Sequence, residues 1–368
     1  MLRSSLVVLF LSVGGWPLLA QNRLLAYYPM WGKTQTPSYS AAQIPFRKLT
    51  HIAHAFLAIS SKADGGISVD PTLVEPALIS GAHAAGVKVL ITIGGANDAG
   101  AAAFSTVAKS EVLRKAFAKN VHDFVTANGY DGVDIDWEVP NAPADTEPCI
   151  LLMQALRAEM PAPKFLLSMA IPSNPVKWGT GFDVPKLAPI LDFINVMTYD
   201  FHGPRSSHAG HNSPITQSAA DPGLEGSLTT SMDLFENTYG VPRRKLNFGT
   251  AFYGYDFEGA KSLWDVCNCG KTTTSVNYGT AIKPRINHQG WKSYLDSDAG
   301  VPYLLHDNSE QAPGFVTYDD AVSTAAKTTL VLSTRKMGGI FMWELSADYD
   351  GATQDLLDAM YRAFLNAK

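Results

Sequence analysis

The chain has 368 residues, 46% of them hydrophobic and 17% charged, which is enough for one large buried core. Its 29 Lys and Arg against 34 Asp and Glu leave a net charge of −5. That balance excludes a nucleic-acid backbone or an anionic membrane surface as the expected partner.

Residues 1–20 read as a leader. Arg3 supplies the positive end, residues 6–13 an apolar run, and Leu18-Leu19-Ala20 a cleavage site ahead of Gln21. The run is too short, and too broken by Gly14, Gly15 and Pro17, to span a bilayer. The chain is therefore expected to be secreted (extracellular or periplasmic), with no membrane attachment once the leader is removed. Cys149, Cys267 and Cys269 are too few for a disulfide framework. Cys267 and Cys269 are close for a bridge and too sparse for a structural zinc site, and Cys149 reads as a buried, inert thiol.

Beyond the leader, apolar and β-branched runs recur at 23–30, 49–59, 88–93, 132–138, 165–171, 193–199, 245–253 and 339–345. Most are apolar on both faces, as buried parallel strands are. Amphipathic helical patterns lie between them at 71–85, 111–128, 147–160, 227–239 and 318–335, with another at 354–365 and a shorter one at 183–191. Eight strands alternating with helices predict an α/β fold, a (β/α)8 TIM barrel. Gly94-Gly95 after the third strand is not a dinucleotide-binding turn, so a doubly wound nucleotide fold is disfavoured. Residues 256–313 are too long for an ordinary loop and carry Trp264, Tyr278, Trp291, Tyr294 and Tyr303. They read as a small α+β insertion between strand seven and helix seven, dividing the barrel into residues 21–255 and 314–368.

The chemistry is concentrated in Asp131-Gly132-Val133-Asp134-Ile135-Asp136-Trp137-Glu138. At the strand period, Asp134, Asp136 and Glu138 share one face and Val133, Ile135 and Trp137 the other. A half-exposed antiparallel strand would show the same alternation. Within a barrel, however, the strand end points into the mouth where reactive groups sit. Stacked carboxyls raise one another's pKa, which suits Glu138 to protonating a glycosidic oxygen. A retaining glycosidase also needs a carboxylate roughly 5 Å away across the sugar, and Asp134 and Asp136 lie behind Glu138 instead. Aromatic and polar groups recur near other strand ends: Tyr27, Phe56, Met197, Tyr199, Asp200, Tyr253 and Trp343. Flat rings and polar tips of this kind fit a sugar site. No metal and no cofactor are expected. His51 and His54 face opposite ways in a strand, and His202, His208 and His211 read as surface residues of one loop. There is no GxSxG turn for a serine hydrolase.

The acidic stretch resembles the DGxDxDxE signature of glycoside hydrolase family 18, the chitinase family. Leu25-Ala26-Tyr27-Tyr28 is similar to that family's first strand, Thr92-Ile93-Gly94-Gly95 to its SxGG motif, and Met197-Thr198-Tyr199-Asp200 to its MxYD. Gly339 to Glu344 is similar to its strand-eight tryptophan segment, and residues 291–320 to its insertion domain. The resemblance implies a retaining, substrate-assisted mechanism in which the sugar's own acetamido carbonyl attacks and an oxazolinium intermediate forms. It implies Glu138 as acid and then base, Asp136 supporting the acetamido group, Asp134 sharing a proton with Asp136, and Tyr199 donating to the acetamido oxygen. Trp343 would floor the −1 sugar, with Asp200, Met197, Tyr253, Tyr27 and Phe56 around it. Ala96 and Tyr255 depart from the family, which often has an aromatic and an Arg there; both fall in the sugar subsites. The implied partner is chitin or a chitooligosaccharide, bound by a monomer. A non-catalytic chitin-binding barrel, or an endo-β-N-acetylglucosaminidase acting on N-glycans or peptidoglycan, are the alternatives.

Overall fold

A computed structural model describes residues 22–306 and 313–367, so the leader lies outside the described residues. Seven parallel strands of the barrel follow in order: β1 (Arg23–Pro29), β2 (His51–Ile59), β3 (Lys88–Gly94), β4 (Gly132–Asp136), β5 (Leu166–Pro172), β6 (Phe193–Met197) and β7 (Leu246–Ala251). The chain then leaves for a second sheet of β8 (Tyr253–Glu258), β9 (Thr273–Asn277), β10 (Trp291–Asp296), β11 (Val301–His306) and β12 (Gly314–Thr317). It returns in β13 (Gly339–Trp343). β13 pairs in parallel with both β7 and β1, and β1 with β2, which closes the expected (β/α)8 barrel. The second sheet is antiparallel throughout, in the order β9-β8-β12-β11-β10.

Strand alternation divides the apolar residues into two buried layers. Val133, Ile135 and Trp137 point outward into the layer under the helices, where Trp137 stacks on Phe104 at 5.4 Å. Leu25, Tyr27, Ala53, Leu90, Phe193 and Phe341 point inward and continue into Tyr253, Tyr255 and Phe257 of β8. The insertion therefore shares its core with the barrel interior.

The 111–128 pattern is observed as a helix over the same residues, capped by Ser110 and closed by Gly129 at φ 75°. A helix at Asp98–Lys109 was not expected. Its buried Ala103, Phe104, Val107 and Ala108 do recur at helical spacing, and Asn97 starts it by accepting from Gly100 N at 2.6 Å. The expected strand 245–253 is two strands. β7 ends at Ala251 and β8 begins at Tyr253, a junction that apolar periodicity does not show.

The returning helix, Ala321–Thr329, carries a buried cation. Lys327 is fully buried; its Nζ donates to Asp319 Oδ2 at 2.6 Å, to Ser213 Oγ at 2.8 Å and to the Ser213 carbonyl. Ser213 Oγ in turn donates to the Thr198 carbonyl at 2.7 Å, so this helix holds the chain that follows β6. Removing one partner leaves a buried charge unpaired. Lys327→Ala is expected to lower stability by about 3–5 kcal/mol, and Lys327→Met with Asp319→Leu to recover most of that loss, read from urea midpoints. A single variant as stable as the parent would refute the anchoring role.

Candidate active site

Tight strand approach brings the acids together. A Cβ on Gly132 would lie 2.0 Å from the Leu166 carbonyl oxygen of β5, and one on Gly94 would lie 1.9 Å from that of Asp136. Gly94 also has φ +123°, so only glycine serves there without strain. Asp131 fastens the start of β4: it accepts from Val89 N at 2.9 Å, Lys88 Nζ at 2.7 Å and His83 Nε2 at 2.9 Å.

Asp134 is fully buried and accepts four hydrogen bonds. Oδ2 accepts from the hydroxyls of Tyr27 (2.8 Å) and Thr92 (3.3 Å), and Oδ1 accepts from the Ser168 hydroxyl (2.6 Å) and from the Asn195 amide Nδ2 (3.2 Å). The donors come from β1, β3, β5 and β6. Burial pushes the Asp134 pKa up, and the donors only partly oppose it. Beneath it a polar column continues. Asn247 Nδ2 donates to Asn195 Oδ1 at 2.8 Å, and Arg23 Nε to Asn247 Oδ1 at 2.9 Å.

Asp136, 4% exposed, lines the cleft above Asp134, and its Oδ1 is buried without a partner. Burial raises its pKa well above the usual carboxylate range, with the charges of Glu138 and Asp134 adding to the rise. Glu138 stands on the cleft wall two residues beyond β4. Burial, reinforced by Asp200 and opposed by Arg205, pushes its pKa up to about 7.

The cleft has a volume of about 800 Å3. Of the residues singled out in the sequence, Glu138, Asp136, Tyr199, Tyr27, Phe56, Met197, Asp200 and Trp343 line it together. Trp343 lies 5.6 Å from both Phe56 and Tyr27, ring centre to ring centre. Tyr199 meets Tyr253 and Phe341 edge-on, each at 6.1 Å. Burial and the surrounding carboxylates, Asp136 foremost, raise the Tyr199 pKa, so its hydroxyl keeps its proton. Asp134 and Tyr253 do not reach the cleft surface. Asp134 lies under Asp136, and the Tyr253 hydroxyl donates to Asp200 from behind.

Other lining residues escaped the sequence reading: Trp31, Trp178 and Arg205 among them. Tyr255 donates to Asp200 Oδ1 at 2.7 Å, and the Arg205 guanidinium lies 5.8 Å from the Trp178 ring. Trp31, Trp178 and Arg205 lie outside the barrel strands, so strand-end reasoning could not reach them. Ala96, one of the departures noted above, also lies on the wall.

Two further expectations are settled. His202, His208 and His211 are not surface residues; none is more than 5% exposed. The loop carrying them is packed against the insertion, which their sequence neighbourhood does not show. Cys267 and Cys269 are paired, with Cα atoms 5.0 Å apart, and Cys149 is buried, its thiol pushed up to about 12 by burial and the charge of Asp145.

A family model for the glycosyl hydrolases family 18 matches residues 23–348. Chitinase A1 of Niallia circulans is 27% identical over 414 aligned positions, covering 92% of this chain and 58% of that protein. A probable chitinase 2 of Drosophila melanogaster is 32% identical over 278 positions, covering 71% of this chain and 56% of that protein. The chain thus spans just over half the length of these two relatives. Among solved structures, chitinase ChiA74 from Bacillus thuringiensis superposes with a TM-score of 0.81 at 25% identity, covering 94% of this chain and 70% of that one. With the match running from β1 to the turn beyond β13, around a ladder of acids inside a closed barrel, the chain belongs to the glycosyl hydrolases family 18.

Proposed function

We propose that this protein is a secreted chitinase that cleaves β-1,4-linked N-acetylglucosamine with retention, using the substrate's acetamido group as nucleophile. The observation that carries the reading is Glu138, a carboxyl on the wall of an aromatic-floored cleft with its pKa near 7. Near neutral pH it holds a proton for the leaving oxygen and, once ionised, is the base that activates water. The acetamido carbonyl oxygen attacks the anomeric carbon as the leaving oxygen departs, giving the oxazolinium. Asp136 lines this space and has an unpartnered oxygen, which suits it to accept the acetamido N–H and stabilise the developing positive charge. Asp134 and Asp136 titrate as a coupled pair, with Tyr27, Thr92, Ser168 and Asn195 holding charge on the lower member. Tyr199 keeps its proton and is placed to donate to the acetamido oxygen, and Trp343 supplies the flat floor. The names of the relatives support chitin as the polymer. Export is supported by the leader and by the Cys267–Cys269 bridge, since such bonds persist in oxidising compartments.

Glu138→Gln is expected to lower kcat on chitohexaose by roughly 10²–10⁴-fold while oligosaccharide binding persists, measured by reducing-end release and calorimetry. The same variant tests the electrostatics. The unfolded carboxyl ionises at about 4.5 and the folded one at about 7, so between those values the folded state holds more protons. Wild-type stability therefore falls as pH rises through this window, by about 3 kcal/mol in all. Glu138→Gln should outlast wild type to denaturant at pH 8 and match it at pH 4; equal stabilities at pH 8 would contradict the raised pKa.

The alkaline limb of kcat/KM is set by loss of the Glu138 proton, so activity declines above about pH 7. Arg205 favours the ionised form. Arg205→Gln should move that limb upward by about half a pH unit, and a limb that stays or moves down would show that Arg205 does not act on Glu138. For export, the full chain expressed in a secreting host should appear in the medium beginning at Gln21 or nearby. Retention inside the cell with the first 20 residues intact would refute that part of the reading.

A further inference from the structure

The long connection after β6 brings together three side chains that hydrolysis does not use. His202, His208 and Asp221 are 1%, 5% and 3% exposed. His202 Nε2 lies 3.0 Å from His208 Nε2, His208 Nε2 lies 3.2 Å from Asp221 Oδ1, and His202 Nε2 lies 3.3 Å from the same oxygen. Three donor atoms thus form a nearly equilateral triangle. A tetrahedral ion with metal–ligand bonds of about 2.0–2.1 Å requires ligand atoms about 3.3 Å apart. We propose that His202, His208 and Asp221 are the protein ligands of a zinc-type divalent metal site, with the fourth position left to water.

The surrounding bonds orient each ligand. His202 Nδ1 lies 3.1 Å from the His211 carbonyl oxygen, which can only accept. The proton therefore sits on Nδ1, and in the neutral ring Nε2 turns its lone pair to the centre. His208 Nδ1 lies 3.1 Å from Ser207 Oγ, an acceptor for the same tautomer. Asp221 Oδ2 accepts from Gln217 Nε2 and Glu225 N, each at 3.0 Å, and Oδ1 accepts from Gly223 N at 2.9 Å, which fixes the carboxylate with Oδ1 toward the rings. Two imidazole lone pairs and a carboxylate oxygen this close repel one another unless a cation or a ring proton lies between them. Two nitrogens and one oxygen are a donor set that suits zinc, whereas magnesium and calcium call for oxygen cages. The Trp264 ring walls one side, 5.4 Å from the His202 ring and 6.0 Å from that of His208. Gly210 leaves the room: a Cβ there would sit 2.5 Å from the His202 imidazole.

The role follows from position. Gly203, Pro204, Arg205 and Ser206 line the cleft and lie between the two histidines in the chain. The neighbouring residues pair with the insertion: Ala209 N donates to the Asp265 carbonyl at 2.7 Å, and Cys267 N to that of Ser207 at 3.1 Å. A metal here would clamp the segment that carries Arg205 against the insertion, so its effect is on the stability and shape of the cleft wall.

The test uses the full chain, stripped with chelator and titrated with zinc chloride. Calorimetry should give one saturable equivalent, with a rise in Tm of about 3–5 °C at saturation; magnesium and calcium should give neither. His208→Ala should lose both the equivalent and the rise. Because that variant can fail to fold, wild-type crystals soaked in zinc decide independently: an anomalous peak between the three side chains supports the site. No stoichiometric binding, or a peak elsewhere, overturns it. The triangle is then held by protons alone, with Ser207 donating to His208 Nδ1 and His208 Nε2 donating to Asp221.

Discussion

Burying several carboxyls in one barrel is the constraint around which the rest of this structure is arranged. An ionised carboxylate removed from water is tolerated only when donors surround it, and an unsurrounded one takes up a proton. Asp134 is given four donors from four strands, and it is barrel closure that brings those strands within reach of one another. Asp136, directly above, receives none at Oδ1, so negative charge is favoured low in the stack and a proton high in it. A substrate entering from the mouth thus meets an acid at Glu138 and a donor-hungry carboxyl at Asp136. The gradient follows from where strand partners end, with no metal or cofactor entering the account.

A raised pKa does not by itself pick out the acid. Glu344 and Asp348 are also pushed up to about 7 by burial, yet both spend their oxygens on donors of neighbouring turns, Glu344 on the N–H and hydroxyl of Ser346 and Asp348 on backbone N–H groups. Glu344 accepts from Ser346 N at 2.7 Å, and Asp348 from Leu357 N at 2.9 Å and Leu356 N at 3.1 Å, starting the final helix Asp355–Leu365. Neither lines the cleft. What separates Glu138 from them is exposure to a space a sugar can enter, together with a charge environment set by Asp200 and Arg205 rather than by helix caps.

That difference also explains how far the sequence could be read. The acid ladder was legible because strand alternation is a strict period, and one register places all three carboxyls on the inner face. The barrel was legible because eight apolar runs recur with helices between them, and the 111–128 helix because its caps are written in Ser110 and Gly129. Tertiary approach left no such trace. Trp31, Trp178 and Arg205 converge from three separate connections. The short link between β7 and β8 carries no turn signature, so two strands read as one. The three histidines are interleaved with Gly, Pro and Ser residues and so read as a surface loop. Their burial depends on the insertion folding over them, at a sequence distance that periodicity cannot span.

Tyr255 joins these threads. Where the resemblance to the family implies an Arg, this chain has a phenol, and together with Tyr253 it holds Asp200 by hydrogen bonds alone. A guanidinium at that position would neutralise Asp200, but two phenols leave its charge in place, and that charge lifts the Glu138 pKa. The compensating cation comes instead from Arg205, on the opposite connection, which is exposed and packs over Trp178. An exposed side chain on a loop acts electrostatically only as well as its loop is held. Here the loop is held by the pairing with residues 264–267, by the His202–His208–Asp221 cluster at its root, and farther on by Lys327 gripping Ser213. The protonation of Glu138, just beyond β4, is therefore tied to the packing of a loop after β6, and substitutions far from the cleft can move the pH at which Glu138 gives up its proton without touching a group that lines it.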